Sequence, residues 1–411
     1  MTKENGKPQI RFAKFKDTWE QRKLSAIADK VTEKNVGLQY IETFTNSAEF
    51  GIISQRDFFD HDIAKMSSLG GYYIVRSEDF VYNPRISTSA PVGPINRNKL
   101  GRIGVMSPLY TVFRPHDIDT TYLEYFFKSK YWHSFMNFNG DSGARSDRFS
   151  IKDSVFFEMP IPIPHIDEQK KIGEYLTYLD HLITLHQRKY DKLTKAKKSM
   201  LEKMFPKNGT NVPEIRFKGF TDAWEQRKLG DFGKTTGGTS IESEFSEEGQ
   251  YKVISIGSYS ENSVYNDQGL RAIKSDKTNN RVLNRNDLTM ILNDKTTSGN
   301  IIGRVLLIEE SGIYVYNQRT ERIEINVNEY DPVFLYEMLN APNIREKIIK
   351  QAQGNTQIYV NWPTISLLDY MIPLKEEQVK IGECLHNLSN LITLHQRKFF
   401  IYKSDTNLHF N

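Results

Sequence analysis

The sequence predicts an α+β fold in which two globular α/β domains are separated by two long helices paired as an antiparallel coiled coil, with a pseudo-two-fold internal repeat. Three observations predict this architecture: two pairs of repeated blocks, a heptad seam in one of them, and alternating apolar and polar runs between them. The length of 411 residues and the hydrophobic content of 38% are enough for several folded domains. We therefore expect a duplicated frame that carries two globular modules.

The first repeated block is short and contains the hexapeptide WEQRKL in both copies. Residues 10–24 (IRFAKFKDTWEQRKL) and 215–229 (IRFKGFTDAWEQRKL) agree at eleven of fifteen positions. Trp19 and Trp224 are predicted to be packing anchors where the helical frame meets a globular domain. The charged residues of the hexapeptide are predicted to be solvated or to dock a partner.

The second repeated block is longer and follows each globular module. Residues 168–189 and 377–398 agree at sixteen of twenty-two positions, and LITLHQRK is identical in both. The segments between the blocks, 25–160 and 230–370, have similar lengths and little identity. A duplicated frame with two diverged segments is typical of two readers held by one scaffold.

The second block has the spacing of a long amphipathic helix in both copies. Apolar residues recur at alternating steps of four and three, the heptad pattern that keeps one stripe against a partner helix. Pro164 and Pro373 precede the two helices and mark where they begin. At ~1.5 Å per residue, the helices are predicted to extend about 55 Å and about 40 Å. The seam residues are Ile172, Leu176, Leu179 and Ile183 in the first copy and Ile381, Leu385, Leu388 and Ile392 in the second.

The helix pair has two interpretations, a spacer that sets a distance or an ordinary hydrophobic core. Its position between two diverged modules favours the spacer. His186 and His395 continue the seam, but neither has a second ligand one helical turn later. We therefore predict that both are packed histidines and predict no metal site.

Each variable segment has the pattern of an α+β domain. Short runs alternate apolar and polar residues between Gly and Pro breaks, which predicts strands joined by turns. These runs lie at 71–84 and 101–115 in the first segment and at 285–294 and 299–327 in the second. Segments 121–138 and 331–349 have helical spacing instead.

Arginine and polar residues gather in the Gly- and Ser-rich turns of both segments, for example RISTS at 85–89 and NQRTER at 317–322. Arg, Lys, Asn and Gln bond to base edges, and Ser, Thr and Lys suit phosphate oxygens. The alternative for each residue is an ordinary solvated loop position. The candidate DNA-binding residues are Arg85, Ser87, Thr88, Tyr110, Arg145 and Arg148 in the first segment, and Lys295, Thr296, Arg304, Gln318, Arg319, Arg322, Asn355, Gln357 and Tyr359 in the second.

Composition and motifs disfavour several other classes of protein. The net charge of +4 allows a nucleic-acid partner without requiring one. The single cysteine, Cys384, excludes a disulfide framework and a Cys-based zinc cluster. The sequence has no G-x-x-x-x-G-K-[ST], H-E-x-x-H, C-x-x-C or G-x-S-x-G motif, so we predict no catalytic residue. The N-terminus lacks an apolar run, and no segment approaches eighteen apolar residues, so we expect a cytoplasmic chain without a membrane span.

The combination of repeated blocks resembles the DNA-specificity subunit of type I restriction–modification systems. The resemblance is carried by the Pro-x-Ile-Arg-Phe to WEQRKL blocks at 8–24 and 213–229 and by the Pro-then-EQxKIGxxL helix starts at 164–176 and 373–385. The two LITLHQRK runs and the central KKSMLEKMFP at 197–206 complete it. Together these features cover nearly the whole chain.

This resemblance implies that each variable segment is a target recognition domain that reads one half of a split double-stranded DNA sequence. The helices are expected to fix the spacing of the half-sites and to dock two methyltransferase subunits, which bind S-adenosylmethionine. Restriction nuclease subunits, which use ATP and magnesium, are expected to join this core. The chain itself is expected to have no catalytic role and no bound cofactor. The implied parts are a first target recognition domain (1–160), a central conserved helix or spacer (161–210), a second target recognition domain (211–370) and a shortened C-terminal conserved helix (371–411).

Two other functions stay open on the sequence alone. One is a methyltransferase fused to its own reader, which the missing cofactor motif disfavours. The other is a scaffold that binds protein or glycan partners through its variable domains. The chain also departs from the family pattern at 399–411, which lack the Lys- and Met-rich character of 190–205. We expect these final residues to be frayed or non-helical.

Overall fold

The computed structural model describes residues 8, 10–59, 65–141, 147–207, 209–295, 298–355 and 357–408. The chain forms two compact units, of which one comprises Met1–Leu185 with Lys398–Asn411 and the other comprises His186–Arg397. Each unit contains strands, helices and a buried apolar core, which confirms the predicted α+β class. The four-part division of the chain at 160, 210 and 370 stays a prediction.

The first unit is built around an antiparallel four-stranded sheet. Its strands are β1 (Glu20–Lys23), β2 (Ala28–Lys30), β3 (Phe44–Ser47), β4 (Gly51–Ser54), β5 (Tyr73–Val75), β6 (Phe80–Tyr82), β7 (Ile95–Arg97), β8 (Gly104–Met106), β9 (Thr111–Pro115) and β10 (Pro160–Ile163). Its helices are α1 (Gln55–Phe59), α2 (Thr120–Lys128), α3 (Tyr131–Asn139), α4 (Asp153–Phe156) and the start of α5 (Ile166–Lys203), with 3-10 turns at Leu24–Ala26 and Met66–Gly71. The sheet has the order β2-β9-β6-β7, and β1 with β10, β3 with β4 and β5 with β8 form separate pairs.

Helix α2 packs its aromatic side chains on this sheet. The Asp119 carboxylate accepts a hydrogen bond from the Tyr122 amide at 2.8 Å, which satisfies a free donor of the first turn and begins the helix. The Phe127 ring lies 5.9 Å from both the Phe80 and the Phe113 rings of the two central strands. Aromatic side chains of this helix therefore form part of the core of the unit.

The second unit also contains a four-stranded sheet with helices packed on it, but the sequence of its variable module differs from that of the first unit. Its strands are β11 (Glu225–Lys228), β12 (Gly233–Gly237), β13 (Tyr251–Ile254), β14 (Arg271–Ala272), β15 (Leu288–Ile291), β16 (Asn293–Asp294), β17 (Val305–Leu307), β18 (Tyr314–Tyr316), β19 (Thr320–Ile325), β20 (Ile358–Tyr359) and β21 (Asp369–Ile372). Its helices are α6 (Asp276–Asn279), α7 (Pro332–Asn340), α8 (Pro342–Ile349), α9 (Trp362–Ile365) and most of α10 (Lys375–Leu408), with 3-10 turns at Leu229–Phe232, Glu242–Glu244 and Ile256–Ser258. The sheets have the orders β12-β19-β15-β17 and β14-β13-β18, and β11 with β21 and β16 with β20 form pairs.

The repeated hexapeptide forms a strand in both units, which its sequence did not predict. In the first unit β1 pairs antiparallel with β10, so that Glu20 lies opposite Ile163. In the second unit β11 pairs in the same way with β21, and Glu225 lies opposite Ile372. The two ends of each variable module are therefore held side by side by the frame.

A buried ion pair ties the first repeated block to the second block within each unit. Arg11 donates from Nε and Nη2 to the two carboxylate oxygens of Glu168, at 2.7 Å each. Arg216 makes the same bidentate contact with Glu377, again at 2.7 Å for both bonds. Identical residues in the two blocks therefore make identical contacts, and we call these the frame ion pairs.

The second block also positions the helix that packs on each sheet. The Gln169 side chain accepts from the Asp119 amide at 2.9 Å, and Gln378 accepts from the Asp331 amide at 2.8 Å. A Cβ atom on Gly382 would lie 2.8 Å from the Asp331 carboxylate. Because that distance is too short for a side chain, the KIG glycine permits close approach of the two helices.

The tryptophans of WEQRKL differ in burial. Trp224 is buried, with its ring 6.3 Å from Phe205 and 6.1 Å from Phe334. Trp19 is half-buried and lies 6.3 Å edge-on from Tyr122. Both are packing anchors, as predicted, and neither copy lies within a variable segment.

The long helices α5 and α10 run antiparallel where they contact each other in the second unit. His186 lies opposite His395, with Nδ1 atoms 2.7 Å apart, and Lys197 donates to Ser389 at 2.6 Å. A hydrogen bond between two imidazole nitrogens needs one neutral acceptor, so this contact requires at least one uncharged ring. Of the seam residues, Leu176, Leu179, Ile381 and Leu385 are buried, and Ile172, Ile183, Leu388 and Ile392 are half-buried.

The expectation of a non-helical C-terminal segment is wrong for residues 399–408. Helix α10 continues to Leu408, and residues 409–411 lie outside the described part of the chain. In the first unit, Tyr402 packs against a cluster formed by Tyr125, Leu176 and Leu179. This tertiary contact stabilises the helix where its own sequence has lost the Lys- and Met-rich pattern.

Candidate DNA interface

In both units, an inner strand of the four-stranded sheet continues into a loop that pairs with a later segment. The first paired loop consists of residues 83–90 after β6, joined by 147–150. The second paired loop consists of residues 292–295 after β15, joined by 353–355 and 357–360. Most of the predicted DNA-contacting residues lie in these two loops.

The two paired loops have the same backbone pattern. In the first, the Phe149 amide donates to the Pro84 carbonyl at 2.8 Å. In the second, the Val360 amide donates to the Leu292 carbonyl at 2.9 Å. Each loop is therefore a short two-stranded extension at the end of a core strand, although the two sequences are unrelated.

The first paired loop brings together candidates that are distant in the sequence. Arg85 and Arg148 are directly opposite each other in an antiparallel bridge. Arg85 is exposed, Ser87 and Thr88 are exposed in the following turn, and Arg148 is half-buried. Arg145 lies outside the described residues. The structure thus gathers four of the candidates on one projection.

An open cleft with a volume of about 450 Å³ lies beside the first paired loop. Tyr110 and Arg148 both line it, so the Tyr110 turn approaches the loop. Lys30 lines it as well and forms an ion pair with Asp153, whose hydrogen bond raises the pKa of Lys30. Sequence reasoning missed Lys30, because nothing in its strand distinguishes it from an ordinary surface lysine.

The second paired loop gathers candidates from three turns around Leu292. The Leu292 amide donates to the Arg319 carbonyl at 2.9 Å, which places the β18–β19 turn beside the loop. Tyr359 pairs with Asn293 in the β16–β20 register, and Lys295 and Gln357 directly follow and precede this pair of strands. Lys295, Arg319, Gln357 and Tyr359 are all exposed.

The remaining loop candidates have local contacts of their own. Gln318 donates from Nε2 to Glu242 at 3.2 Å. Arg319 has a φ of 72°, a left-handed conformation that is uncommon for a residue with a side chain. Asn355 is exposed beside Gly354, and Thr296 lies outside the described residues.

Two of the predicted arginines use their donors inside the second unit. Arg322 donates from Nε to Asp287 at 2.9 Å and is largely buried. Arg304 donates to the Asn300 carbonyl at 3.0 Å and to Ser263 Oγ at 2.9 Å. Burial lowers the pKa of Arg304. Both side chains hold the domain together, and their contact with DNA stays a prediction.

The NQRTER segment also contains a buried carboxyl group that sequence reasoning missed. Glu321 lies on β19 opposite Gly237 and is only 4% exposed. Burial raises its pKa to about 7, against a smaller opposing effect of Arg281. Arg281 itself donates to the Gly237 carbonyl at 2.8 Å and to the Tyr316 hydroxyl at 3.0 Å.

Replacing Glu321 by Gln is expected to stabilise the second unit above neutral pH. The folded-state pKa is above the ordinary value, so the wild-type chain loses stability as the pH rises from about 4.5 through about 7. Glu321→Gln should match wild type at pH 4.5 and exceed it by about 3 kcal/mol at pH 8. Denaturant unfolding at both pH values measures this difference.

Glu324→Gln is the matched control, because Glu324 lies on the same strand and is half exposed. It should change stability by less than about 0.5 kcal/mol at either pH. Equal pH profiles for wild type and Glu321→Gln would contradict the assignment.

Across the described ranges, no three His, Cys, Asp or Glu side chains are grouped in a way that could hold a metal ion. The Cys384 thiol is half-buried, and burial raises its pKa, which makes it a weaker nucleophile. No helix among the same residues is long and apolar enough to cross a bilayer.

The fold and the paired loops define a duplicated α+β chain with two equivalent candidate nucleic-acid sites. The family model of the type I restriction modification DNA specificity domain matches residues 16–195 and 221–399, so the chain belongs to this family. The two matched ranges correspond to the two copies of the frame with their variable modules. This finding confirms the resemblance seen in the repeated blocks.

Several individual proteins are similar to this chain over part or nearly all of its length. The type I restriction enzyme MjaVIII specificity subunit of Methanocaldococcus jannaschii is 27% identical over 310 residues, which cover 73% of this chain and 71% of that protein. A putative type I restriction enzyme MjaX specificity subunit of the same organism is 29% identical over 107 residues, 25% of each chain. The crystal structure of a type I restriction-modification system S subunit from M. genitalium has a TM-score of 0.60 at 13% identity and covers 98% of this chain and 97% of that chain. The structural match supports the fold.

Proposed function

We propose that the chain is the non-catalytic specificity subunit of a type I restriction–modification complex, and that each paired loop reads one half of a bipartite double-stranded DNA target. The family match and the names of the similar proteins support the specificity role. The proposal places the chain in the cytoplasm, in keeping with its single cysteine. Catalysis is assigned to other subunits.

The observation that carries this proposal is the equivalence of the two paired loops. Most positions of the frame are identical in the two copies, including the frame ion pairs, but the loops that the frame presents share a backbone position and differ in sequence. Different side chains at equivalent positions are what two readers of different half-sites need. Two loops with only a structural role would not need different side chains at equivalent positions.

The exposed groups of the loops suit base edges and phosphates. Arg85 can bond bidentately to guanine, and Gln357 can bond bidentately to adenine in the major groove. Ser87 and Lys295 suit phosphate oxygens, which position the protein on DNA. This chemistry predicts weak, salt-sensitive DNA binding by the chain alone.

Helices α5 and α10 complete the proposed assembly. They set the spacing between the half-sites and dock two methyltransferase subunits, which bind S-adenosylmethionine. Nuclease subunits that use ATP and magnesium join the same core. The chain binds none of these cofactors in this proposal. The antiparallel contacts of the two helices within the second unit support a spacer role.

Reconstitution with methyltransferase subunits and S-adenosylmethionine tests the proposal. The complex should methylate adenine at a bipartite DNA sequence, detected by single-molecule sequencing. The double variant Arg85→Ala/Arg148→Ala should reduce methylation at least tenfold, because each lost base contact costs about 1–3 kcal/mol. Arg22→Ala is the matched control, because Arg22 is an exposed frame arginine paired with Glu20. It should leave methylation unchanged.

Three results would contradict the proposal. Methylation at DNA sites that are not bipartite would contradict the proposal that each paired loop reads one half-site. Saturable binding of S-adenosylmethionine to the isolated chain favours a self-sufficient enzyme. A complete lack of DNA protection with partner subunits present favours a scaffold for other ligands.

A further inference from the structure

A network of three asparagine side chains lies at the start of the first paired loop. Asn83, the residue that follows β6, donates from Nδ2 to the carbonyl oxygen of Asn46 at 2.8 Å. Its Oδ1 atom accepts a hydrogen bond from the Arg85 amide at 3.0 Å. Asn46 and Asn83 are both buried. The Asn83 side chain therefore connects β3 to the backbone of Arg85, one of the candidate base-reading residues.

Asn46 is the centre of this network. Its Nδ2 atom donates to the carbonyl oxygens of Val81 at 2.7 Å and of Pro94 at 3.3 Å. Its Oδ1 atom accepts from Asn96 Nδ2 at 2.7 Å, and Asn96 also donates to the Ser47 carbonyl at 3.1 Å. Because buried polar groups that are fully paired favour one arrangement, the network fixes β3 relative to the end of β6 and the start of β7.

Strand β3 also contacts a second candidate for DNA binding. The hydroxyl groups of Thr45 and Tyr110 lie 3.3 Å apart. Thr45 and Asn46 are consecutive residues of β3. One strand therefore sets the position of Tyr110 relative to the start of the loop that carries Arg85.

The turn before β7 packs closely against Asn83. The Asn83 amide donates to the Pro94 carbonyl at 3.0 Å. Gly93 has a φ of 83°, and a Cβ atom on it would lie 2.1 Å from the Asn83 carbonyl oxygen. Both observations require glycine at this position. Asn83 is thus held through its backbone as well as its side chain, two residues before Arg85.

An amide at position 83 is not needed to form a sheet of this kind. The backbone hydrogen bonds that define the two paired loops make Asn83 of the first unit equivalent to Ile291 of the second. Ile291 is fully buried in an apolar cluster. Burial of an amide stabilises a fold only when its hydrogen bonds are made, whereas burial of an aliphatic side chain has no such condition. The polar side chain in the first unit is therefore better explained by the position it gives to the loop.

We propose that Asn83 and Asn46 are positioning residues for DNA reading by the first unit. They hold the Arg85 backbone at a fixed place relative to Tyr110, so that the guanidinium group reaches one base pair of the half-site. A hydrogen bond to a base edge needs a donor–acceptor distance of about 2.7–3.2 Å, so a backbone shift of ~1 Å removes it. This inference rests on the proposed DNA-reading function.

Sequence discrimination by the reconstituted complex tests the proposal. Asn83→Asp keeps an acceptor for the Arg85 amide but puts a carboxylate oxygen against the Asn46 carbonyl. The probes are DNA duplexes that carry the sequence methylated by the wild-type complex, with one base pair changed at a time. The ratio of kcat/KM between unchanged and changed duplexes should fall at least fivefold in the half-site read by the first unit. It should change less than twofold in the other half-site.

Asn98→Asp is the matched control, because Asn98 is a buried asparagine at the opposite end of β6. Its Nδ2 atom donates to the Arg76 carbonyl at 2.9 Å and to the Arg102 carbonyl at 3.1 Å, and its Oδ1 atom accepts from the Leu100 amide at 3.1 Å. The control should lower the melting temperature as much as Asn83→Asp does and leave discrimination within twofold of wild type. Equal losses of discrimination in the two variants would overturn the proposal, because lost stability would explain both.

Asn96→Ala tests the network without changing the loop. Asn96 is half-buried and acts on Asn83 only through Asn46, so the variant should lose discrimination about threefold, again in the first half-site alone. Unchanged discrimination in both Asn83→Asp and Asn96→Ala, with bipartite methylation by wild type, would overturn this inference and leave the proposed function intact. A wild-type complex that methylates no bipartite site would overturn both.

Discussion

Exchange of residues 230–365 for the corresponding module of another specificity subunit is expected to change one half of the methylated DNA sequence and to leave the other half unaltered. The second paired loop lies within this segment, and the first lies outside it. The exchanged segment begins after β11 and ends before β21, so the frame pair that holds its two ends is retained. Single-molecule sequencing of DNA methylated by the reconstituted chimera measures the result.

The control for this exchange is the reciprocal replacement of residues 25–155, which should change only the other half-site. Methylation of sites altered in both halves by one exchange would show that the modules do not read independently. If a chimera loses all methylation, circular dichroism and binding to the methyltransferase subunits show whether that chimera is still folded. Because methylation at the original site should fall to background, this is the largest functional effect we expect.

Replacing Glu377 by Ala should destabilise the second unit by about 3 kcal/mol, because it leaves a partly buried guanidinium without its partner. Glu377 is 0% exposed and Arg216 is 12% exposed, with two bonds of 2.7 Å between them. Chemical denaturation gives the free energy of unfolding, and hydrogen exchange locates the loss to the second unit. Glu168→Ala should have a similar effect on the first unit through Arg11.

Glu225→Ala provides the comparison for the frame ion pair. Glu225 also binds an arginine, Arg227, at 2.6 Å, but both side chains are largely exposed to water. Exposed pairs contribute about 0–1 kcal/mol, so this variant should remain close to wild type. A loss as large as that of Glu377→Ala would mean that burial does not control the strength of these contacts.

The frame of this protein could be predicted from its sequence, because its signals are local. Sequence identity between the blocks and the heptad spacing after Pro164 and Pro373 predicted the repeat and both long helices. The strand formed by WEQRKL was missed, since it depends on a partner strand more than a hundred residues away. The helical end of α10 was also missed, because Tyr402 is held by contacts with residues of α2 and α5.

The sequence indicated the candidate DNA-binding segments by their turns rich in Arg, Gln and Lys, but it did not show how these turns are arranged. The structure gathers several of them into two paired loops, and their contact with DNA stays a prediction. The pairing of Arg85 with Arg148 depends on long-range backbone contacts that no local pattern shows. Arg304 and Arg322 look the same in sequence as the exposed arginines, yet their neighbours Ser263 and Asp287 take up their donors.

The short strand pairs β1–β10 and β11–β21 have a consequence for how such chains diversify. Each pair clamps the first and last residues of a module within one strand spacing, about 4.5–5.5 Å between facing Cα atoms. Any folded insert whose termini lie side by side meets this geometric demand, whatever its internal sequence. The frame can therefore accept different recognition modules between its paired strands without changes to its own sequence.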